Sequence, residues 1–166
     1  MKHKNLWILV GIPGSGKSYW AKNHQGSAAY VSRDALRFAL LKRDEEYFKH
    51  EKMVYSKFLS EIQYHLDHDE DVIADATHLN WASRQKLINH LSLEGVNVNC
   101  IVFKTPLSLC LERNARREGL ACVPEAVITN MNRNFTHPCR DPYQYHTIRN
   151  VYWDGADVIV AKEETK

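Results

Sequence analysis

Residues 11 to 18 read Gly11-Ile12-Pro13-Gly14-Ser15-Gly16-Lys17-Ser18 and meet G-x-x-x-x-G-K-[ST] at every fixed position. Average glycine usage would produce this pattern in a chain of this length roughly once in a few hundred sequences. The residue types suit one task, the binding of a polyphosphate. Glycines let successive backbone N–H groups turn inward around an anion, and a following helix adds the partial positive charge of its N-terminus. Lys17 is then placed to reach the β- and γ-phosphates of a nucleotide, and the Ser18 hydroxyl to bind magnesium. A glycine turn with a surface lysine explains the run less well, because a short apolar strand pattern precedes it and a helical pattern follows.

Binding phosphate does not distinguish a motor, a switch or a kinase. A kinase needs a proton acceptor near the receiving hydroxyl and cations that offset transition-state charge. Ser32-Arg33-Asp34-Ala35-Leu36-Arg37 offers both, with Asp34 and Arg37 three apart on one helical face. A plain helix cap and a solvated arginine would look the same. Asp75 ends the apolar run Val72-Ile73-Ala74, where phosphate-loop enzymes carry a magnesium-associated aspartate; it would also cap the next turn. Arg113, Arg116 and Arg117 stand just before Gly119. Cations favour a helix C-terminus by about 0.3–1 kcal/mol each. Three arginines in five positions, followed by an irregular segment, also suit a closing lid. No N-K-x-D guanine motif occurs.

The elements that must hold these residues can be read from periodicity. Leu6 to Val10 reads as a strand buried on both faces, and Ser18 to His24 as the first helix. Ala28 to Val31 is a second strand, followed by a helix capped by Ser32 or Asp34. A long helix is expected over about Glu45 to His65, with Phe48, Tyr55, Leu59, Ile62 and Leu66 on one stripe. Val72 to Ala74, Val96 to Phe103 and Val158 to Ala161 complete five strands. Asn80 caps a helix that Gly95 ends, and Thr105-Pro106 opens one that runs to Gly119. Pro124 begins another through Met131, while 135–150 reads mostly as loop. Strands alternating with helices give an α/β domain, a five-stranded parallel sheet with helices on both faces.

The 166 residues fit one domain over 1–166, and 44% hydrophobic with 25% charged residues is ordinary globular composition. A formal charge of +2 excludes a wholly basic nucleic-acid face, so contact with nucleic acid would be confined to a cleft. Cys100, Cys110, Cys122 and Cys139 show no regular spacing and read as reduced thiols of a cytosolic protein. The run from Leu6 to Ile12 lacks a cleavage site and leads into Pro13 and Lys17, so it is not read as a leader, and no apolar run is long enough for a membrane helix. His65 and His68 read as a solvated helix end rather than a metal site. Tyr143, Tyr145, Tyr152 and Trp153 would either stack on a base or close the core.

Taken together, G-I-P-G-S-G-K-S-Y-W-A, S-R-D-A-L-R, V-I-A-D-A-T-H-L-N and E-R-N-A-R-R with V-P-E-A-V-I resemble the kinase domain of phage and bacterial polynucleotide 5′-hydroxyl kinases. The blocks run in the family's order from Gly11 to about Met131. The resemblance implies a nucleoside-kinase-like phosphate-loop fold with a helical lid, ATP and magnesium, and a 5′-hydroxyl end of DNA or RNA as acceptor. By resemblance Gly11, Pro13, Gly14, Ser15, Gly16, Lys17, Ser18, Arg113 and Arg116 would bind the nucleotide. Asp34 would be the general base and Arg117 the lid arginine that stabilises the transferring group. Arg37 would bind the phosphate beside the accepting nucleotide, with Asp75 and Thr77 on the acceptor side and Ser18 and Asp75 toward the metal. Glu118 separates Arg117 from Gly119, which leaves Arg116 as an alternative lid arginine, and His78 replaces an asparagine frequent in the family. Gluconate kinases, antibiotic phosphotransferases and zeta toxins share the cradle, so a small-molecule kinase stands as the alternative, with a regulatory nucleotide-binding module behind it.

Overall fold

The computed structural model describes residues 2–153 and 159–164. Leu6, Ile8 and Val10 of β1 (Lys4–Val10) point into one apolar cluster and Leu9 into another. That alternation is the signature of a central strand covered on both faces. β1 pairs in parallel with β3 (Val72–Asp75) on one side and β4 (Val96–Phe103) on the other. β2 (Ala29–Ser32) pairs with β3, and β5 (Thr147–Trp153) with β4, both parallel. The order is β2-β3-β1-β4-β5-β6, in which β6 (Ile159–Glu164) runs antiparallel to β5 at the edge.

Five parallel strands are therefore present, as the alternation of elements requires, but the fifth is Thr147–Trp153 and not Val158–Ala161. Arg149 and the fully buried Asn150 interrupt its apolar pattern and hide it in a stretch read as loop. The expected strand overlaps β6 instead, and Val158 lies outside the described residues.

α3 (Glu51–Asp67) and α4 (Trp81–His90) pack on one face of the sheet through Phe58, Ile62, Leu66, Leu87 and Ile88, while α1 (Lys17–His24) covers the other with Trp20 and Ala21. The buried stripe of α3 is Val54, Phe58, Ile62 and Leu66 at steps of four. The helix starts six residues later than its apolar pattern suggests. Glu45 accepts from the Lys42 N–H at 3.0 Å and pairs with His50 at 2.7 Å, a local turn that competes with helix. Phe48 consequently sits outside the helix and is half exposed. Ser32 caps α2 (Arg33–Leu40), and Asn80 forms a reciprocal capping box with Ser83. α4 ends at His90, five residues before Gly95. Thr105 does not cap α5 (Leu107–Ala115); its hydroxyl donates to the Ser15 carbonyl at 2.7 Å, and α5 ends well before Gly119. α6 (Glu125–Arg133) joins α5 over the phosphate-loop end of the sheet through Ile12, Cys110, Val123 and Ile128. Tyr143 and Tyr145 close the core.

His78 shows how tightly the turn after β3 is set. It is buried with a left-handed φ of 43° and donates from Nδ1 to the Leu9 carbonyl at 2.7 Å. Burial pushes its pKa down to about 4, so the ring is neutral in the fold. An unfolded chain protonates His78 near pH 6.5, whereas the folded chain does not until about pH 4. Stability is thus fully retained above pH 6.5 and falls as pH drops toward 4, by on the order of 3 kcal/mol from this residue. His78→Asn, which tolerates a left-handed φ, should lose that part of the slope. Urea unfolding of both proteins across pH 4 to 7 measures the difference.

Candidate active site

The C-terminal ends of the parallel strands open on one edge, and the winding turns back across β1 there, the usual place for a ligand crevice. A cavity of about 810 Å³ lies at that edge. Its floor is the phosphate loop. Gly14 (φ 82°) and Gly16 (φ 97°) hold conformations that only glycine adopts without strain, and a Cβ on Gly14 would stand 2.5 Å from the Cys110 carbonyl oxygen. Gly11 serves packing: its N–H donates to Thr77 at 3.0 Å, and a Cβ would stand 2.6 Å from Ser15 Oγ.

Lys17 Nζ donates to the carbonyls of Gly11 at 2.9 Å and Ile12 at 3.0 Å. Burial lowers its pKa, against the opposing pull of Asp75 and Asp34. A cation desolvated at the start of a helix is well suited to a polyphosphate, whose charge would restore its preference for the protonated form. Ser18 Oγ donates to Asp75 Oδ2 at 2.9 Å, and the Tyr30 hydroxyl donates to the same oxygen. Burial together with Asp75 pushes the Tyr30 hydroxyl up to about 12, so it remains a donor. A hydroxyl and a carboxylate in contact at the mouth of the cradle fit the hard oxygen donors that magnesium takes.

At the other pole, Asp34, Arg37, Tyr47, Phe48, Glu51 and Arg33 wall the cavity. Asp34 is half exposed and accepts from Arg37 and from the Tyr47 hydroxyl at 2.8 Å. Glu51 accepts from Arg37 Nε at 3.1 Å, Arg37 Nη2 at 2.8 Å and Arg33 Nη2 at 2.5 Å. Burial would raise the Glu51 pKa, but the two guanidinium groups hold it below its usual value. Burial and Asp34 push the Tyr47 hydroxyl well above its ordinary range.

Arg113 donates to the Gly14 carbonyl at 3.2 Å and lies 4.1 Å from the Trp153 ring centre, bracing the loop from the β5 side. The segment after α5 is exposed, with a short 3-10 turn at Gly119–Ala121. Asn114 clamps its base, donating to the Val123 carbonyl at 2.7 Å and accepting from the Val123 N–H at 3.0 Å.

Residues 6–138 match the family model described as an AAA domain. The chain belongs to the AAA domain family. This AAA domain has a P-loop kinase-like fold, and solved structures share it. A chain of the Pnkp1/Rnl/Hen1 RNA repair complex aligns at a TM-score of 0.69 and 23% identity, over 81% of this chain and 44% of that one. A fungal RNA kinase aligns at 0.61 and 15%, over 91% of this chain and 38% of that one. A gluconokinase from Sinorhizobium meliloti 1021 aligns at 0.56 and 17%, over 92% of this chain and 84% of that one. The AAA domain thus spans under half of the repair-complex chain it matches.

The AAA domain brings Pro13, Gly14, Gly16, Lys17, Ser18, Asp34, Arg37, Asp75, Thr77, Arg113 and Arg117 to one cavity. Gly11 and Ser15 lie beneath it as packing. Arg116 is not brought there: it is largely exposed and pairs with Glu112 one turn earlier at 2.6 Å. Of the two arginines expected to serve a lid, Arg117 lines the cavity and Arg116 does not. Arg37 lines it too, but buried and with four of its five N–H groups engaged by protein. The sequence reading missed Glu51, Tyr47 and Arg33, all within or beside what looked like helix surface. Among the described residues no group of three His, Cys, Asp or Glu could hold a metal ion, and no helix is long and apolar enough to cross a membrane.

Proposed function

We propose that this AAA domain transfers the γ-phosphoryl group of ATP to a hydroxyl, and that the acceptor is a 5′-hydroxyl end of DNA or RNA. The observation that carries the reading is a single cavity with a phosphate cradle at one pole and a half-exposed carboxylate, Asp34, beside the aromatic wall of Tyr47 and Phe48 at the other. Lys17 and the loop N–H groups bind the polyphosphate, and Arg113 steadies the loop. Ser18 and Asp75 would hold magnesium, which would offset phosphate charge when bound. Asp34 takes the proton of the accepting hydroxyl as its oxygen bonds to the γ-phosphorus and the bond to ADP breaks. Arg117 offsets the charge that develops on the transferring group. Aromatic faces suit a nucleobase better than a sugar chain, and the likeness to RNA repair and RNA kinase structures is in keeping with that choice.

A small-molecule reading has its own support. The AAA domain covers most of the gluconokinase but under half of the RNA enzymes. Labelled ATP offered with a 5′-hydroxyl oligonucleotide, gluconate and an antibiotic alcohol separates the two. Label on the oligonucleotide is expected, and label only on gluconate would overturn the nucleic-acid acceptor. Asp34→Asn keeps shape and hydrogen bonding but removes the proton acceptor, so transfer should fall at least about 100-fold while ATP affinity changes little. Equal ATP binding by both proteins with no transfer to any acceptor would favour a regulatory module.

A further inference from the structure

Resting on the kinase reading of this cavity, we infer that Arg33, and not Arg37, supplies the donors for an oxyanion next to the accepting hydroxyl. A guanidinium has five N–H groups in a fixed fork. Arg37 spends Nε and one Nη2 hydrogen on Glu51, and its Nη1 hydrogens on Asp34 and the Tyr47 oxygen at 2.8 Å. Aromatic rings pack beside it as well, with the ring centres of Tyr47 at 4.4 Å and Phe48 at 5.6 Å from its central carbon. One Nη2 hydrogen remains, so an incoming anion could be gripped by two donors only if a present partner were displaced.

Arg33 lines the same cavity with a side chain 27% exposed, against 6% for Arg37. Among the described residues its one hydrogen bond runs from Nη2 to Glu51 Oε1, at 2.5 Å; its central carbon lies 5.0 Å from the Tyr55 ring centre, and its Nε is buried with no partner. The Glu51 oxygen it shares already accepts from Arg37 at 2.8 Å, so Arg33 can leave without stranding the carboxylate. A buried donor without an acceptor is unfavourable, and an oxyanion that draws the fork toward it relieves that state. Arg37 is then the residue that orients Asp34, and Arg33 the residue that reads the acceptor's charge. The ligand is an acceptor bearing phosphate or carboxylate close to its hydroxyl.

Titration calorimetry with thymidine 3′-monophosphate against thymidine, and gluconate against glucose, tests the assignment and identifies the source of the anion. The wild type should bind the anionic member of one pair roughly tenfold or more tightly, as a charge-assisted contact provides. Arg33→Gln should bring that ratio close to one, and Arg33→Lys should restore part of it, because an ammonium lacks the planar fork. Arg37→Lys, which keeps a cation beside Glu51, should leave the ratio standing. Equal binding of both members of each pair by the wild type, or a ratio that survives Arg33→Gln, would overturn the assignment. Preferential binding of an anion that is then not phosphorylated with magnesium-ATP would count against the kinase reading and leave Arg33 in place.

Discussion

Lys17→Ala is expected to abolish phosphoryl transfer while leaving a folded protein. The ammonium is held by two loop carbonyls, at 2.9 and 3.0 Å, and lines the cavity in which we propose the polyphosphate binds. It is already desolvated, as its lowered pKa reflects, so it attracts an anion far more strongly than a hydrated surface lysine would. Losing such a preorganised cation should remove several kcal/mol of transition-state stabilisation, a fall of about a thousandfold. The same desolvation makes the charge unfavourable in the unliganded protein, so the melting temperature should not drop. Single-turnover transfer from labelled ATP, run beside a thermal melt, checks both parts. Full turnover by a folded Lys17→Ala protein would remove the phosphate-loop mechanism.

How much of this was legible in the sequence depends on whether a residue's task is local. The cradle could be read because each position is constrained by its own backbone: left-handed φ at Gly14 and Gly16, then a helix start at Lys17. Asn80 and Ser32 could be read as caps for the same reason. β5 could not, because Arg149 and Asn150 are accommodated by distant partners. Arg149 lies over Trp7, and Asn150 accepts from His137 at 2.8 Å. Glu51 looked like one charge on a helix pattern; its importance comes from the turn at Glu45, which delays α3 and places Glu51 at the helix start against Arg33 and Arg37. Arg113, Arg116 and Arg117 read alike along the chain. Three-dimensional packing separates them into a loop brace, a surface ion pair and a cavity wall.

The largest expected effect on stability belongs to a pair that carried no sequence signal, Arg84 and Asp141. Arg84 is fully buried, and Asp141 nearly so. Arg84 donates to both oxygens of Asp141 at 2.7 and 2.8 Å, to the His78 carbonyl at 2.8 Å and to the Thr136 carbonyl at 2.8 Å. Tyr145 donates to Asp141 at 2.6 Å. One guanidinium therefore ties the turn after β3 to the segment that precedes β5, and that turn carries Thr77, whose carbonyl holds Gly11. Removing one partner strands a buried charge, which costs about 3–5 kcal/mol. Asp141→Ala should consequently lower the melting temperature by roughly 6–20 °C in a protein of this size. It should also weaken ATP binding, since the cradle loses its support from behind. Replacing both partners, as in Arg84→Met with Asp141→Leu, removes the two charges together and should recover part of the stability, the His78 and Thr136 carbonyls and the Tyr145 hydroxyl still losing these bonds. Urea unfolding of the two single variants and the double variant gives the coupling directly. If Asp141→Ala unfolds within about 1 kcal/mol of the wild type, a change ordinary for any single substitution, the pair is not what holds the turn behind the cradle.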